Sequence, residues 1–482
     1  MRCFRVMFLG ILIGYAPLLA QNKELLYDFT EIPQALLINP GMATSFSWYA
    51  GIPFASGIYG QAATSGITVN DLFANDGLDF NVKVRTRALN SLTKRDEFGE
   101  TVMIDLLNGG YRSKKDPGIF YSFGAYFESN AILYWPQDLA YLAFDGNADQ
   151  LGRRFDLSHL KTRGEGLTVF HFGINKEIDR NWTVGARAKL YSGIYDFHSS
   201  GNSGYFVTNV GQDNLLSNTM VADMQLRTSG LEEIRRILND ETDGTVANVL
   251  SKRALLGGDL GLGVDLGFTY YLNERTVLTG SLLDLGLVYH AGDVKGYSLQ
   301  GSATTEGVGV ILPDAFADPD ADLWQELVDE IEALLPFEEN TNSYLSFRPT
   351  QLYGSIRYNF GEPVDGGTLD CDCTSGASGA ANRFQYSNGV GAQLHMINRP
   401  RGPQAALTAF YLRRVGNFLS LKTTYTADKF SMSNLGIGIS IQAGPVNFYA
   451  LANNLLQYRN LADSNYASFQ FGFNILSWGA NP

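Results

Sequence analysis

The sequence predicts an all-β fold, a transmembrane antiparallel β-barrel of about fourteen strands, with two short helices in its loops; roughly twelve to sixteen strands suit an even-numbered closed barrel. Three observations predict it. The first is alternation. In "DLGLGVDLGFTYY" (259–271), Leu260, Leu262, Val264, Leu266, Phe268 and Tyr270 share one face of an extended chain, while Gly261, Gly263, Asp265, Gly267 and Thr269 share the other. The second is length: alternation over about eleven residues is enough to cross a bilayer on a tilt, against about five or six in soluble strands. The third is the polar faces, which hold Gly, Ser, Asn and Gln in place of the Lys and Glu of a watery surface. A soluble sandwich also alternates, so length and inner chemistry separate the two.

Ahead of the barrel, residues 1–20 read as a secretory signal peptide, with a basic start "MRCFR", an apolar run "VMFLGILIGYAPLLA" and Ala20 before Gln21. The run is shorter than the ~20 apolar residues of a spanning helix. Residues 21–482 are then expected to form a single outer-membrane barrel domain with loop insertions at 229–257, 311–348 and 361–382. The 52 Gly, 25 Tyr and 30 Phe, against 15 Pro and 18% charged residues, suit many strands joined by turns. The net charge of −13 argues against a nucleic-acid partner.

Candidate strands lie near 45–51, 55–64, 78–86, 99–107, 117–128, 167–177, 182–196, 204–209, 219–227, 259–272, 276–289, 297–310, 351–360, 384–396, 405–414, 418–427, 430–442, 446–453 and 467–476. Some of these must be loop hairpins or parts of one bent strand. Aromatics such as Trp182, Tyr270, Tyr271 and Trp478 gather near strand ends, where an interfacial girdle lies. "VGN" (415–417) and "AGP" (443–445) are short, as periplasmic turns are, and 453–465 is longer, as an outer loop is.

Two loop helices are expected. Ser229 and Glu232 have the spacing of a capping box ahead of Leu231, Ile234 and Leu238. In "ADLWQELVDEIEALLP", Leu323, Trp324, Leu327 and Ile331 lie on an apolar stripe that must bury itself, on the barrel mouth or as a plug, gate or partner-docking helix. This second helix sits in an acidic segment, Pro313 to Asn340, with ten carboxylates and no Lys or Arg.

No catalytic residue, cofactor or metal site is expected. Cys371 and Cys373 lack the further ligands that zinc needs, and "DPDAD" (318–322) lacks a calcium loop's glycine turn and closing Glu. "GLGVDLG" has neither the spacing nor the helix of a dinucleotide loop. His159, His171, His198, His290 and His395 are scattered, with no G-x-S-x-G elbow. The inward faces do carry Arg187, Lys189, Arg357 and Lys422. Unpaired, these would form a positive constriction favouring anions; paired with inward carboxylates such as Asp265 or Asp284, they would rigidify a filled barrel, and pairing is the expectation.

The motifs "INPGMA" (38–43), "WYAGIPFASGIYGQAATSGITVNDLF" (48–73), "PQDLAYLAFDGN" (136–147), "FGINKEIDRNWTVGARAKLYSG" (172–193), "SLLDLGLVY" (281–289) and "GPVNFYALANNLL" (444–456) occur in an order that resembles a Bacteroidota family of uncharacterised outer-membrane barrels. Gly41 stands where that family has Ala, Ala452-Asn453-Asn454 where it tends to Asp-Asn, and the cysteine loop is an insertion. The resemblance implies a barrel distantly related to the long-chain fatty-acid transporter type. Neighbouring barrels of that phylum act in type IX secretion and gliding. The expectation is thus a non-enzymatic outer-membrane barrel, surrounded by outer-membrane lipid, that passes or holds a small molecule, hydrophobic ones included. The alternative is a scaffold docking a secretion or cell-surface partner.

Overall fold

The structure is a computed structural model that describes residues 23–147, 149–199, 201–211, 216–239, 241–306, 338–364, 385–432, 434–457 and 461–477. The expected signal peptide, the apolar helix with Leu323, Trp324, Leu327 and Ile331, the cysteine pair and Trp478 lie outside the described residues.

Antiparallel neighbours run in chain order and close on themselves. The first strand, β1, is broken into Trp48–Gly51 and Ile58–Thr64, and both pieces pair with the same two neighbours. Next come β2 (Glu97–Arg112), β3 (Ile119–Tyr134), β4 (Thr162–Glu177), β5 (Trp182–Ser199), β6 (Asp259–Tyr271) and β7 (Thr276–His290). After them follow β8 (Gln351–Val364), β9 (Gln385–Arg399), β10 (Gly402–Val415) and β11 (Leu419–Ala427). The last are β12 (Asn434–Ala443), β13 (Val446–Asn453) and β14 (Tyr466–Ser477). A short piece, Tyr344–Phe347, extends the β8 position along β7. Trp48 pairs with Ser477 and Ile58 with Phe471, so fourteen strands form a closed barrel without an edge.

The faces are inverted relative to a soluble sheet. On β6, Leu260, Leu262, Val264, Leu266 and Phe268 are 37–66% exposed, while Asp259, Asp265 and Thr269 are buried. Ile356, Val390, Leu407 and Phe469 continue this outward apolar belt around the wall. In hydrocarbon every backbone group must pair within the protein, which a closed ladder achieves, and only apolar side chains tolerate the outside. Among the described residues no helix is long and apolar enough to cross a membrane.

The connections 113–118, 178–181, 272–275, 416–418 and 444–445 share one rim with the start of β1 and the end of β14. β8 ends and β9 begins on this rim as well. The opposite rim carries the long loops. There Leu216–Ser229 branches from β5 and forms a side sheet with Arg154–Asp156, Ser203–Val210, Val294–Glu306 and Glu338–Asn340. The stretches read as strands at 204–209 and 219–227, and the described part of 297–310 up to Glu306, thus belong to the side sheet and leave the wall.

Two local expectations are corrected. Within 78–86 the chain is helical from Phe80 onward, as Phe80–Lys83 running on into Val84–Ala88. The Asp79 carboxylate caps Asn81 N at 2.8 Å, and Val84, Ala88, Leu89 and Leu92 bury one helical face against Ile67 and Ala140. Ser229 and Glu232 make no capping box either. The helix Glu232–Leu238 starts after Leu231 without a side-chain cap, and the Ser229 hydroxyl donates to Asp259 at 2.5 Å.

A charge on the belt tests the lipid-facing assignment. Leu262→Arg is expected to cost about 2–4 kcal/mol near the bilayer midplane, with Leu262→Phe close to neutral. Urea titration of the barrel in phospholipid vesicles measures both; an unchanged midpoint for the arginine variant removes the assignment.

Candidate functional site

The lumen is occupied by the chain's own beginning. Residues 23–46 turn repeatedly through the barrel, with a short helix at Pro33–Leu37. Their backbone bonds are internal turns, such as Ile38 N to Ala35 O and Met42 N to Asn39 O. Leu25, Phe29, Ile32, Leu36 and Ile38 of this plug form the main buried cluster. The wall contributes Phe120, Tyr353, Leu412, Tyr449, Leu451 and Leu476 to it. Tyr27 stacks on Tyr353 with centroids 4.9 Å apart.

Wall side chains hold the plug by its main chain. The Arg187 guanidinium donates to Leu36 O, and to Leu37 O at 3.0 Å, satisfying carbonyls that the end of the short helix leaves unpaired. Lys422 donates to Tyr27 O, and to Glu24 O at 3.2 Å, and Gln393 reaches the same Glu24 O at 2.7 Å. Asn175 donates to Pro40 O and Met42 O at 2.9 and 2.7 Å, and Ser281 to Ile38 O at 2.6 Å. Side chains add specificity: Arg357 pairs with Asp28 at 2.8 Å, Arg414 pairs with Glu31, and Gln34 exchanges two bonds with Asn474.

Close packing seats the turn at Pro40–Gly41. Gly185 and Gly267 are paired across β5 and β6. A Cβ on Gly185 would collide with Pro40 O, and a Cβ on Gly41 with Gly267 O. Backbone meets backbone here, so bare Cα atoms are required. The glycine at 41 fits this seat.

Beside the plug, charges line the wall. Lys189 pairs with Asp265 at 2.9 Å and Asp284 at 2.8 Å, and Arg187 with Asp265 at 3.3 Å. The register places Asp265 opposite Arg187, with Lys189 two residues along the same inward face. Asp284 reaches inside because the β6–β7 ladder slips between Val264 and Leu266, a bulge at which Asp284 has φ 58°. Its backbone N–H donates to Asp265 at 2.8 Å. Arg348 extends the network to Glu128 at 3.0 Å and to Glu165. Arg187, Lys189, Asp265, Asp284, Arg357 and Lys422 are all buried.

Four of the six lumen candidates from the sequence, Arg187, Lys189, Asp265 and Asp284, meet in this network. Arg357 and Lys422 meet the plug instead. Sequence reasoning missed the plug, Arg348, Glu128 and Glu165. A signal existed in the length of chain before the first strand, where apolar residues and carboxylates mix without period two. Two small cavities, of about 20 and 10 Å³, each suffice for about one water molecule.

A second polar cluster lies where the side sheet meets the barrel. His290 Nδ1 is 2.8 Å from Asp259 Oδ2, and His290 Nε2 is 2.8 Å from Ser346 Oγ. The order matches a hydrolase triad, but its surroundings do not. Ser346 is 5% exposed, neither cavity reaches it, and a second carboxylate, Asp196 Oδ1, lies 3.9 Å from His290 Nε2. Arg253 and Ser229 also converge on Asp259. The cluster ties β6 and β7 to the side sheet.

A family model described as a family of unknown function (DUF5723) matches residues 40–453. No curated protein matches the chain. Among solved structures, a TodX monoaromatic hydrocarbon channel mutant is 10% identical at TM-score 0.41, covering 93% of this chain and 94% of that one. The Ralstonia pickettii toluene transporter TbuX is 10% identical at TM-score 0.35, covering 93% and 94%. A Pseudomonas aeruginosa FadL homologue is 8% identical at TM-score 0.38, covering 93% and 95%. Likenesses of this order carry no inference about what this chain moves or binds.

Two outcomes test the site. Lys189→Met takes the closest cation from the buried Asp284 and leaves Asp265 to Arg187 alone, and is expected to cost about 3–5 kcal/mol, part of it recovered in Lys189→Met/Asp284→Asn; a double-mutant cycle by urea unfolding reads the coupling. Ser346→Ala is expected to cost about 1 kcal/mol, the worth of one hydrogen bond. A fluorophosphonate probe should leave Ser346 unlabelled in the folded barrel; labelling would make the cluster a reactive site.

Proposed function

The chain belongs to that family of unknown function, and from this premise we propose that it is a non-enzymatic outer-membrane barrel in which residues 23–46 gate the passage or binding of a small molecule. One observation carries the reading: the wall closes on itself without the plug, and the plug is fastened by side chains and not by a sheet ladder. Water can take over each of those bonds when the segment leaves, so its release does not require the barrel to open. The apolar wall strip of Phe120, Tyr353, Leu412, Tyr449, Leu451 and Leu476 then faces the lumen and suits a small hydrophobic ligand. In this reading Arg357, Lys422 and Arg187 latch the gate, while the Lys189–Asp265–Asp284 network keeps the wall rigid.

A second reading, the scaffold, draws on the side sheet. It stands on the long-loop rim, and in the sequence the acidic segment falls between two of its strands, Val294–Glu306 and Glu338–Asn340; in this reading that segment docks a secretion or cell-surface partner. Deleting 313–335 is expected to abolish co-purification of such a partner while the barrel stays folded.

Conductance separates the readings. In planar bilayers the native barrel is expected to be closed most of the time, and Arg357→Gln/Lys422→Gln to raise its open fraction about tenfold, for the loss of about 1.4 kcal/mol or more in latch energy. A folded variant that never conducts, and takes up no small hydrophobic probe into liposomes, would sink the gate and leave the scaffold.

A further inference from the structure

The lumen reads its plug in two ways. Arg187, Asn175, Ser281, Gln393 and Lys422 donate to carbonyl oxygens, which are the same group in every polypeptide. The wall also reads side chains, neutral ones at Tyr27, Gln34 and Thr44 and charged ones at three acidic positions: Asn453 donates to Glu24 at 3.4 Å, Arg357 holds Asp28, and Arg414 holds Glu31. These carboxylates are four and then three residues apart.

We propose that the lumen is a binding site for an acidic polypeptide segment, of which residues 23–46 are the resident example and which a segment of another chain can replace. The inference rests on the reading that the plug leaves its seat. A vacated seat leaves guanidinium, ammonium and amide donors around Arg357, Lys422 and Gln393 without their acceptors. A polypeptide with carboxylates at this spacing supplies both kinds of acceptor at once, main-chain carbonyls and anions, which a hydrocarbon does not. The apolar wall strip beside these donors accepts the intervening aliphatic and aromatic residues with little demand on their order, since large and small apolar groups are interchangeable where volume is kept.

The test uses the full-length chain with a protease recognition sequence inserted at Ser45, cut after folding so that the resident segment is held by contacts alone. Exchange is followed by fluorescence anisotropy with a labelled peptide of residues 23–46. Three unlabelled competitors are compared: the same peptide, one with its apolar residues permuted among themselves while Pro40 and Gly41 stay in place, and one carrying E24Q, D28N and E31Q. The permuted peptide is expected to compete within about tenfold of the native one, and the amide peptide at least about tenfold worse, a difference of about 1.4 kcal/mol. In the cut Arg414→Gln barrel the penalty for E31Q alone should vanish. A native peptide that exchanges while the permuted one does not would overturn the proposal and leave the gate standing, because the seat then fits one sequence only. Equal competition by the amide peptide overturns it as well. No exchange of any peptide would overturn the proposal and the gate together.

Discussion

The absence of water from the bilayer core is the constraint on which the rest depends. A backbone group in hydrocarbon has no solvent to fall back on, and each unpaired one costs several kcal/mol. The chain meets this by returning β14 to β1, with Trp48 against Ser477 and Ile58 against Phe471. Closure in turn dictates the side chains. Outward positions must be apolar, and inward positions inherit every polar group the strands carry. The inversion along β6, with Leu262 outside and Asp265 inside, follows from it.

A closed wall then has an interior to settle. Charges there are removed from bulk water wherever the lumen is full, so each needs a partner close by. The wall supplies some itself, as Lys189 does between Asp265 and Asp284. The rest come from the plug. Arg357 and Lys422 sit in strands far along the chain, and their acceptors are Asp28, Tyr27 and Glu24 near its start. Plug and wall are therefore complementary: the segment has no ladder of its own, and Arg357, Lys422 and Gln393 lose their plug acceptors when it leaves unless water replaces them.

This division explains what could be read in the sequence. Strands with one lipid face show period two because the environment on each side is uniform, and β4, β5, β6, β12 and β14 were legible for that reason. The Arg187, Lys189 and Asp265 grouping was legible too, since inward residues on adjacent strands meet by register. Asp284 is inward as the sequence reading had it, but it arrives there through a bulge, which alternation alone does not show. Residues 78–86 alternate like a strand, yet an Asp79 cap and a helical apolar face at Val84, Ala88 and Leu92 prevailed. The plug is the largest omission. Its surroundings change from residue to residue, so no period marks it, and its partners lie hundreds of positions away.

The seat of the plug also shows why its position is set so narrowly. A polar bond to a carbonyl tolerates a shift along the chain, because another carbonyl follows. Apolar contacts tolerate it too, at some loss of fit. The Pro40–Gly41 turn does not. It lies against Gly185 and Gly267, where a single methyl group on any of the three glycines meets main-chain or proline atoms or the Asn39 amide. Asn39 closes the same turn, donating to Phe268 O at 3.2 Å and accepting from Gly41 N at 2.9 Å. A contact made by shape fixes register, and contacts made by charge and hydrogen bonding supply the hold. The two functions are carried by different residues at different places in the lumen, so the latch can loosen at Arg357 and Lys422 while the turn still guides the segment back to one place.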